Sequence, residues 1–597
     1  MAETLPKRSE IAEKDKWKLE HIFASEADWE QALAAVLARG GTYPQRMGHV
    51  AEDPCGAIRE KFALMEAMLP VGEYAFLGRE ADNGDSACQA RADKAMQAWV
   101  ALETQTAFLE PELLEMDDQA LAAIAGDPAM ADYSEYIRNL RREKPHTLPK
   151  EQEQLLAMLG EVTGAPGNIF DMLTNVDIKF PDMVFEDGHT EPLSENNFGQ
   201  YRESDNRSVR RQAFEHLFET YGKFGTTIAA AYSASVKKDV VMAKARNYPT
   251  ALAADMDPLE IPREVYDNLI QVMHESLPIL QRYLRLRREM LGLDELHMYD
   301  LYCPITRDAD MSLSYEKAFD LVLEGLKPMG EDYIAKLKEA RDGGWIDVFP
   351  AENKSSGAFS AGSLAEVHPY VLLNHNDTLD SAFTIAHELG HSMHSYFSNI
   401  SQPMPKRDYS LFVAEVASTC NEATMMRYLL ERFPEKKTQA YLLNYFLEQF
   451  RTTCFRQTMF AEFERATHEM AQNGEPLTRE ALSKVYYDLN KVYYGESCAV
   501  DEWIADEWMR IPHFYNAFYV YVYATGLCAA VSLSERILTE GEAAVKDYRK
   551  FLSAGCSLPP IEALKLAGVD MSSPEPLRKA MKVFEDTLNR FEEAIRA

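Results

Sequence analysis

One stretch of this chain, residues 379–398, constrains its fold more than any other. It reads LDSAFTIAHELGHSMHSYFS and places His387 and His391 four positions apart. On an α-helix, positions i and i+4 lie one turn apart on the same face, so both imidazoles can reach one metal ion. Glu388 stands about 100° round the helix from His387, where a carboxylate can act on a water molecule without ligating the metal. The stretch predicts a helix that carries a metal centre.

The residues around the motif also favour a helix. Thr378 and Asp380 offer N-terminal caps before the apolar run. Apolar residues recur at helical spacing and predict a buried face: Ala382, Phe383, Ile385, Ala386 and Leu389. Two surface histidines could fall four apart by chance, but the apolar helix around them argues against that interpretation. His394, His368 and His375 are expected to be structural residues rather than ligands.

A third metal ligand is expected downstream of the motif. Catalytic zinc usually has three protein ligands and one open position. Glu415 lies in the apolar run FVAEVAS, 24 residues after His391 (415 − 391). A carboxylate in such a setting is costly unless it is paired or bound to a metal, and this spacing allows a helix end, a turn and an antiparallel neighbour. Glu422, two turns further on, either orients a ligand or forms a surface salt bridge.

Composition excludes several classes of partner. The 597 residues carry a formal net charge of −33, which argues against nucleic acid and anionic membrane surfaces. Eight cysteines without a C-x-x-C pair predict free thiols in a reducing compartment. The N-terminus lacks the apolar core of a signal peptide, and no apolar run approaches the length of a membrane span. These features predict a cytoplasmic protein.

Nearly every segment has helical periodicity. Long helices are expected over residues 206–244, 263–291 and 315–341, where stripes of Met, Leu and Tyr indicate core. Residues 179–188 predict a short hairpin, and residues 345–350 a short strand. The segment HPYVLLN that begins at His368 predicts an edge strand beside the metal helix, because proline at a strand start suits an edge. A peptide could pair with such an edge as one more strand.

Several segments together resemble one known family. They are HPYVLLNHNDTLDSAFTIAHELGHSMHS with the following FVAEVAST, WKLEHIFASEADWE near the N-terminus, SSGAFS at 355–360, and HFYNAFYVYVYATG at 513–526. They are similar to the M3 family of zinc oligopeptidases, in its oligoendopeptidase F branch, over nearly the whole chain. The resemblance implies a mostly α, two-lobed, zincin-type fold with a deep substrate channel and a small β-sheet beside the active-site helix.

The resemblance also implies a division of the chain. Residues 1–112 would form an N-terminal helical region, residues 113–200 an oligopeptidase F-type segment of the N-terminal lobe, and residues 201–597 the M3 catalytic domain.

The segment around His513 is unusually rich in tyrosine. Tyrosines at this spacing are most often core residues with hydroxyls that reach water. Peptide hydrolysis, however, needs hydrogen-bond donors for an oxyanion. In the M3 family a histidine and tyrosines of the matching segment supply them, which implies His513 with Tyr519 or Tyr523. Tyr519 and Tyr523 lie four apart and could share a helix face, so they are preferred to Tyr515 and Tyr521.

The resemblance implies a zinc-dependent endopeptidase that hydrolyses internal bonds of short peptides. His387, His391 and Glu415 would hold one zinc ion, and Glu388 would act as general base. An exopeptidase on the same site would need a charged group to hold a peptide terminus. A non-catalytic peptide-binding protein would need a zinc site closed by four protein ligands. The sequence offers three ligands together with Glu388, which counts against a binding protein.

Overall fold

The computed structural model describes residues 5–306 and 312–596 and divides the chain into two compact units. The first unit comprises Met1–Lys144, Asp310–Arg432 and Ala529–Asp570. The second comprises Pro145–Ala309, Phe433–Cys528 and Met571–Ala597. Helices dominate both units, so the mostly α fold predicted from the sequence is confirmed.

The described helices are, in chain order, α1 (Glu26–Gly40), α2 (Pro54–Ala81), α3 (Ser86–Thr106), α4 (Leu109–Glu115), α5 (Asp118–Gly126), α6 (Ser134–Glu143), α7 (Lys150–Met158), α8 (Gly160–Met172), α9 (Glu195–Arg202), α10 (Arg207–Ala245), α11 (Ala251–Met256), α12 (Arg263–Met290), α13 (Tyr315–Gly325), α14 (Glu331–Asp342), α15 (Leu379–Ser401), α16 (Leu411–Arg432), α17 (Lys436–Gln449), α18 (Arg456–Gln472), α19 (Arg479–Tyr494), α20 (Tyr521–Glu540), α21 (Glu542–Leu552), α22 (Pro560–Leu566) and α23 (Glu575–Arg596). The strands are β1 (Met183–Val184), β2 (Thr190–Glu191), β3 (Ile346–Asp347), β4 (Phe359–Ala361) and β5 (Tyr370–Leu372).

Two of the three long helices follow the predicted bounds, and the third does not. Helices α10 and α12 span the expected segments. The prediction of one continuous helix over 315–341 is wrong, because the chain breaks between α13 and α14. Gly330 lies at the break with φ of 102°, a conformation that glycine adopts without steric cost. An α-helix cannot continue through it.

The small sheet of the first unit has the order β3-β5-β4. Strand β5 pairs in parallel with β3 and antiparallel with β4, with Val371 opposite both Ile346 and Ser360. The prediction that the strand after His368 lies at the edge is therefore wrong. Its three residues are all buried, so both faces of the sheet are covered at this strand. Among the described residues β3 and β4 each pair with β5 alone, so β4 forms one edge of the sheet and β3 the other.

Strand β4 lies beside helix α15, which confirms the predicted sheet next to the metal-binding motif. The hydroxyls of Ser360 and Ser392 share a hydrogen bond of 2.8 Å. Further along the helix, Asn399 Nδ2 donates to the carbonyls of Gly362 and Leu364 at 2.9 and 3.0 Å. These contacts fix the edge strand against the helix. In the second unit, β1 and β2 form an antiparallel hairpin. The predicted segment 179–188 contains β1, and β2 lies just beyond it.

All eight cysteines are free thiols, as predicted. Five of them are buried, where a thiol behaves as a small apolar side chain. None of the described helices is long and apolar enough to cross a membrane.

Candidate active site

Helix α15 presents one open stripe in an otherwise buried surface. Thr378 caps its N-terminus by accepting a hydrogen bond from the N–H of Ser381 at 3.1 Å. The apolar face predicted from the sequence is buried. Thr384, His387 and His391 are partly exposed, and their spacing of three and four residues places them on one face. Both histidines of the motif therefore point away from the core.

Helix α16 approaches α15 closely at Gly390. A Cβ atom at this glycine would lie 2.5 Å from Ser418 Cα and 2.9 Å from Ser418 N, so only glycine fits. The buried Asn421 of α16 donates through Nδ2 to the carbonyl of Ala386 at 2.9 Å, and its Oδ1 accepts from the hydroxyl of Tyr333 at 2.9 Å. These contacts fix the distance between the two helices. Gly390 was not singled out from the sequence, although a glycine inside a helical motif is a signal of close packing.

The close approach brings Glu415 to the two histidines. His387 Nε2 and His391 Nε2 are 3.2 Å apart, and Glu415 Oε2 lies 3.3 Å from the first and 3.6 Å from the second. Within the described residues this is the one group of three His, Cys, Asp or Glu side chains with converging ligand atoms. Zinc–nitrogen bonds of about 2.0–2.1 Å in a tetrahedral site imply ligand atoms about 3.3 Å apart. The three donors therefore fit a zinc ion.

Two neighbours orient the three donors. Glu422 Oε1 accepts a hydrogen bond from His387 Nδ1 at 2.8 Å, which leaves the lone pair of Nε2 for a metal. Of the two roles open for Glu422, the structure favours orientation of a ligand. Ser418 Oγ donates to Glu415 Oε2 at 3.2 Å and restrains that carboxylate. Such hydrogen bonds raise ligand basicity and fix ring orientation.

The charges around His387, His391 and Glu415 favour the binding of one positive charge among them. Burial lowers the pKa of His387, but hydrogen bonds to Glu415 and Glu422 outweigh it and raise this pKa to about 10. Burial and repulsion from His387 lower the pKa of His391 to about 4. The hydrogen bond from His387 is the main reason that the pKa of Glu415 falls to about 2. The carboxylates thus stabilise a proton on His387, which a divalent cation can replace.

Glu388 is set apart from the three donors. Its side chain lies among buried residues and is only 6% exposed. Burial raises its pKa to about 7, although the positive charge of His387 opposes the shift. Its Oε2 is buried and has no hydrogen-bond partner among the described residues. A buried carboxylate oxygen without a partner is costly, and such a group suits a role in proton transfer near neutral pH.

His513, Tyr519 and Tyr523 lie together in the second unit. The hydroxyl of Tyr523 and His513 Nε2 share a hydrogen bond of 3.3 Å, and the rings of Tyr519 and Tyr523 are 5.3 Å apart. The expectation that both tyrosines share a helix face is wrong, because α20 begins at Tyr521 and Tyr519 precedes it. Burial, reinforced by Arg456, lowers the pKa of His513. The three side chains form one polar cluster, here called the His513 cluster.

The other two tyrosines of the segment belong to the core. Tyr521 is buried, with its ring centroid 5.1 Å from that of Tyr266. Tyr515 stacks on Phe170 at 4.5 Å, and its hydroxyl is buried. These two positions fit the structural role that tyrosines at this spacing most often have.

A buried carboxyl group fixes the turn that carries the His513 cluster. Phe518, directly before Tyr519, has φ of 56°, an uncommon conformation for a bulky residue. Its N–H donates to Glu464 Oε1 at 3.0 Å. Glu464 is fully buried, and burial raises its pKa well above the usual value, so the group is neutral. Glu464 was not singled out from the sequence, where it stands between Phe463 and Arg465.

The remaining histidines singled out in the sequence do not join the three donors. His368 shares a hydrogen bond of 2.8 Å with His21 and stacks on Trp345. His394 is buried and stacks on Tyr409 with ring centroids 3.7 Å apart. Both are structural, as expected.

Comparison with protein families gives two matches. Residues 200–583 match the model of peptidase family M3, and residues 112–180 match the model named Oligopeptidase F. The first match covers more than half of the chain.

Known proteins and structures are similar over nearly the full length. Oligopeptidase PepF of Bacillus subtilis is 44% identical over 100% of this chain and 89% of its own length. Group B oligopeptidase PepB of Streptococcus agalactiae is 36% identical over 98% of both. A peptidase from Chlamydophila abortus superposes with a TM-score of 0.94 at 31% identity, covering 99% of this chain and 100% of that one. Oligoendopeptidase-F from Enterococcus faecium gives a TM-score of 0.72 at 35% identity, covering 95% and 98%. The chain therefore belongs to peptidase family M3, in its oligopeptidase F branch.

Proposed function

We propose that this protein is a zinc-dependent endopeptidase that hydrolyses internal bonds of short peptides. One observation carries the proposal: three donor atoms converge at zinc-like separations beside a buried carboxylate oxygen that has no partner among the described residues. His387, His391 and Glu415 would hold one zinc ion per chain. The names of the relatives, oligopeptidase and oligoendopeptidase, support short peptides as substrates.

The chain's own residues supply binding and proton transfer. Zinc, when bound, would lower the pKa of a water molecule and polarise the peptide carbonyl. Glu388 takes a proton from the attacking water and passes it to the leaving amine. A pKa of about 7 suits both steps. Glu422 holds His387 in the tautomer that leaves Nε2 available.

The His513 cluster is proposed to donate hydrogen bonds to the oxyanion. The family resemblance supports this role for His513, with Tyr523 ahead of Tyr519. The hydrogen bond between Tyr523 and His513 supports the ranking of the two tyrosines, because it restrains both donors. Loss of one such donor typically costs about 10²–10³ in kcat.

Strand β4 is proposed to bind the peptide backbone. It is one of the two edge strands of its sheet. Its Ser360 contacts Ser392 of α15, the residue that follows His391. A substrate strand added there would use backbone hydrogen bonds and make few demands on side-chain identity. We therefore expect cleavage of many different short peptides.

The cytoplasm is the proposed location. Eight free thiols, five of them buried, support it, because cysteines remain reduced in that compartment.

The position of the cuts tests the proposal. Peptides of about six to twenty residues and one unfolded protein are incubated with the zinc-loaded wild type, and all products are mapped by mass spectrometry. Internal cuts confined to the short peptides are expected. Stepwise trimming from one terminus would instead establish an exopeptidase, and binding without any cut would establish a peptide-binding protein.

Two variants and one treatment connect the cuts to the site. Glu388→Gln and chelator-treated enzyme should both lose cleavage, and zinc should restore only the treated wild type. Glu431→Gln makes the same chemical change outside the site and serves as the matched control. Glu431 is exposed near the end of α16, the helix that also carries Glu415. It should cleave like the wild type. Equal loss in Glu431→Gln would show that the effect does not come from the site.

A further inference from the structure

A cavity of about 20 Å³ lies in the second unit, beside the end of α9, the first turn of α18 and the end of α19. Much of its wall is apolar and includes Phe198, Phe218 and Leu301. A cavity needs about 10–15 Å³ to hold one water molecule. This cavity therefore holds a single small occupant, and a phosphate or sulfate ion is too large for it.

Four polar side chains interrupt the apolar wall: Arg202, Arg456, Tyr302 and Tyr494 line the cavity. Neither tyrosine hydroxyl bonds to a described residue, and both oxygens are accessible to a water-sized molecule. Tyr494 is only 5% exposed, so the cavity is the place where its hydroxyl can find a partner. An occupant of the cavity can therefore accept a hydrogen bond from that hydroxyl.

The two arginines bring more charge than the one acid of the lining cancels. The guanidinium of Arg202 lies 3.5 Å from the ring centroid of Tyr302 and forms no hydrogen bond or ion pair with a described residue. Arg456 donates through Nη2 to Glu507 at 2.7 Å. The other oxygen of Glu507 accepts from the hydroxyl of Tyr486. Two guanidinium groups and one carboxylate leave one positive charge without a counterion.

The excess of positive charge extends beyond the lining. Arg451 lies 4.5 Å from the ring centroid of Tyr302 and shares the single carboxylate of Glu448 with Arg287. Nη1 of Arg451 and Nε of Arg287 are buried and bond to no described residue. Burial lowers the pKa of Arg202, and neighbouring arginines add to the effect. The surroundings of the cavity therefore favour one added negative charge.

An anion suits these groups better than a water molecule does. Guanidinium groups can only donate hydrogen bonds, and a phenol hydroxyl has one proton to donate. A water molecule among them finds few acceptors for its own two protons, because both oxygens of Glu507 already accept hydrogen bonds. A monatomic anion accepts from every side and also cancels the excess charge.

We infer that this cavity binds one monatomic anion, chloride under cellular conditions, held by Arg202 and Arg456 with the hydroxyls of Tyr302 and Tyr494. The inference does not depend on the proposed endopeptidase function. Helices α9, α18 and α19 supply three of these side chains. The anion joins the three helices, so its role is to stabilise the second unit.

Bromide locates the site directly, because it is close to chloride in size and scatters X-rays anomalously. Crystals grown without halide are soaked in sodium bromide. We expect an anomalous peak in the cavity of the wild type and of Arg263→Gln, and none in Arg202→Gln. Arg263 is an exposed arginine of the same unit that does not line the cavity. Water without an anomalous peak in the wild-type cavity, or bromide only at surface positions, would overturn the site.

Stability in chloride tests the site in solution. The full chain, freed of metal with a chelator, is unfolded in urea with sodium chloride or sodium gluconate at equal ionic strength, so that screening is the same. Chloride at ten times its Kd should raise the folding equilibrium constant about elevenfold relative to gluconate. Sulfate should give no such increase. Equal stability in chloride and gluconate at every concentration would overturn the proposal.

Variants connect the chloride effect to the cavity. Arg202→Gln should weaken chloride binding at least about tenfold, because it removes a charged donor. Tyr494→Phe should weaken it about three- to tenfold, because it removes one hydroxyl. Arg263→Gln should bind chloride like the wild type. If Arg202→Gln does not fold, Tyr494→Phe decides, since it removes a single oxygen atom. Wild-type chloride affinity in Tyr494→Phe would overturn the assignment to this cavity.

The titration of Tyr302 reports the same occupancy, because its phenolate and the anion compete for the same arginines. The charged groups around it are Arg456, Arg451, Arg202 and Glu507. Burial raises the pKa of Tyr302, but the arginines lower it to about 8. Chloride at ten times its Kd should raise the midpoint of the ultraviolet titration by about one pH unit relative to gluconate. The same midpoint in both salts would contradict the inference.

Discussion

The substitution Gly390→Ala tests whether the close packing of α15 on α16 builds the metal site. The added Cβ would lie 2.5 Å from Ser418 Cα, 2.8 Å from the carbonyl oxygen of Ala417 and 2.9 Å from Ser418 N. All three atoms belong to backbone, so no side-chain rotation can relieve the contacts. Ordinary contact begins near 3.4 Å, so α16 must move by about 0.9 Å (3.4 − 2.5).

The displacement has two expected consequences. Overpacking of this kind costs about 1–3 kcal/mol of unfolding free energy. Glu415 lies on α16 three residues before Ser418, so its carboxylate moves relative to His387 and His391. Metal–ligand distances tolerate changes of about 0.2 Å. We expect zinc affinity to fall by at least about tenfold, similar to the loss of a supporting hydrogen bond.

A competition titration with a coloured chelator measures zinc affinity, and urea unfolding of the metal-free protein measures stability. Gly72→Ala is the matched control, since Gly72 lies inside α2 of the same unit and a Cβ there meets nothing within 4 Å. It should bind zinc normally and gain up to about 1 kcal/mol of stability. If Gly390→Ala keeps wild-type zinc affinity, the packing of α16 does not set the ligand geometry.

Three further predictions follow from contacts in the two units. Glu422→Leu should weaken zinc binding by about 10–100-fold. Glu422→Gln should have an intermediate affinity, because its amide oxygen can still accept the hydrogen bond from His387. Equal zinc affinities of Glu422→Leu and the wild type in a chelator competition would rule out the orienting role. Glu464→Leu leaves the N–H of Phe518 without an acceptor and should lower the free energy of unfolding in urea by about 1–3 kcal/mol. Glu464→Gln should be about as stable as the wild type, because the buried carboxyl is neutral. A large loss of stability in the glutamine variant would contradict that protonation state. Tyr302 is partly buried; burial raises its pKa, but Arg456, Arg451 and Arg202 lower it to about 8. Ultraviolet absorbance should show one phenolate forming near pH 8 that Tyr302→Phe removes. Since the folded pKa lies below the unfolded value, this group should add stability as pH rises from about 8 to 10.

The metal-binding helix could be predicted from the sequence because its information is local. The spacing of His387 and His391 and the apolar face between them specify one helix with both imidazoles on one side. Glu415 was also predictable, because a carboxylate in an apolar run needs a partner. These arguments need no knowledge of distant segments.

Features that depend on pairing between distant segments were beyond the sequence. The short strand after His368 has an apolar pattern that fits either a central or an edge position, and only its pairing with β3 and β4 settles which. The clearance at Gly390 and the hydrogen bond from Phe518 to Glu464 likewise depend on elements far apart in the chain. Periodicity specifies which face is buried but not what covers it.

Parallel measurement of bound zinc and peptide cleavage separates the role of Glu415 as a zinc ligand from the role of Glu388 as general base. Wild type, Glu388→Gln and Glu415→Gln are analysed for zinc content by atomic spectroscopy and for cleavage of one quenched peptide. This assignment of roles predicts one zinc per chain in the wild type and in Glu388→Gln, with cleavage lost only in the latter, and loss of both zinc and cleavage in Glu415→Gln. Cleavage by Glu388→Gln at the wild-type rate, or full zinc content in Glu415→Gln, would contradict it.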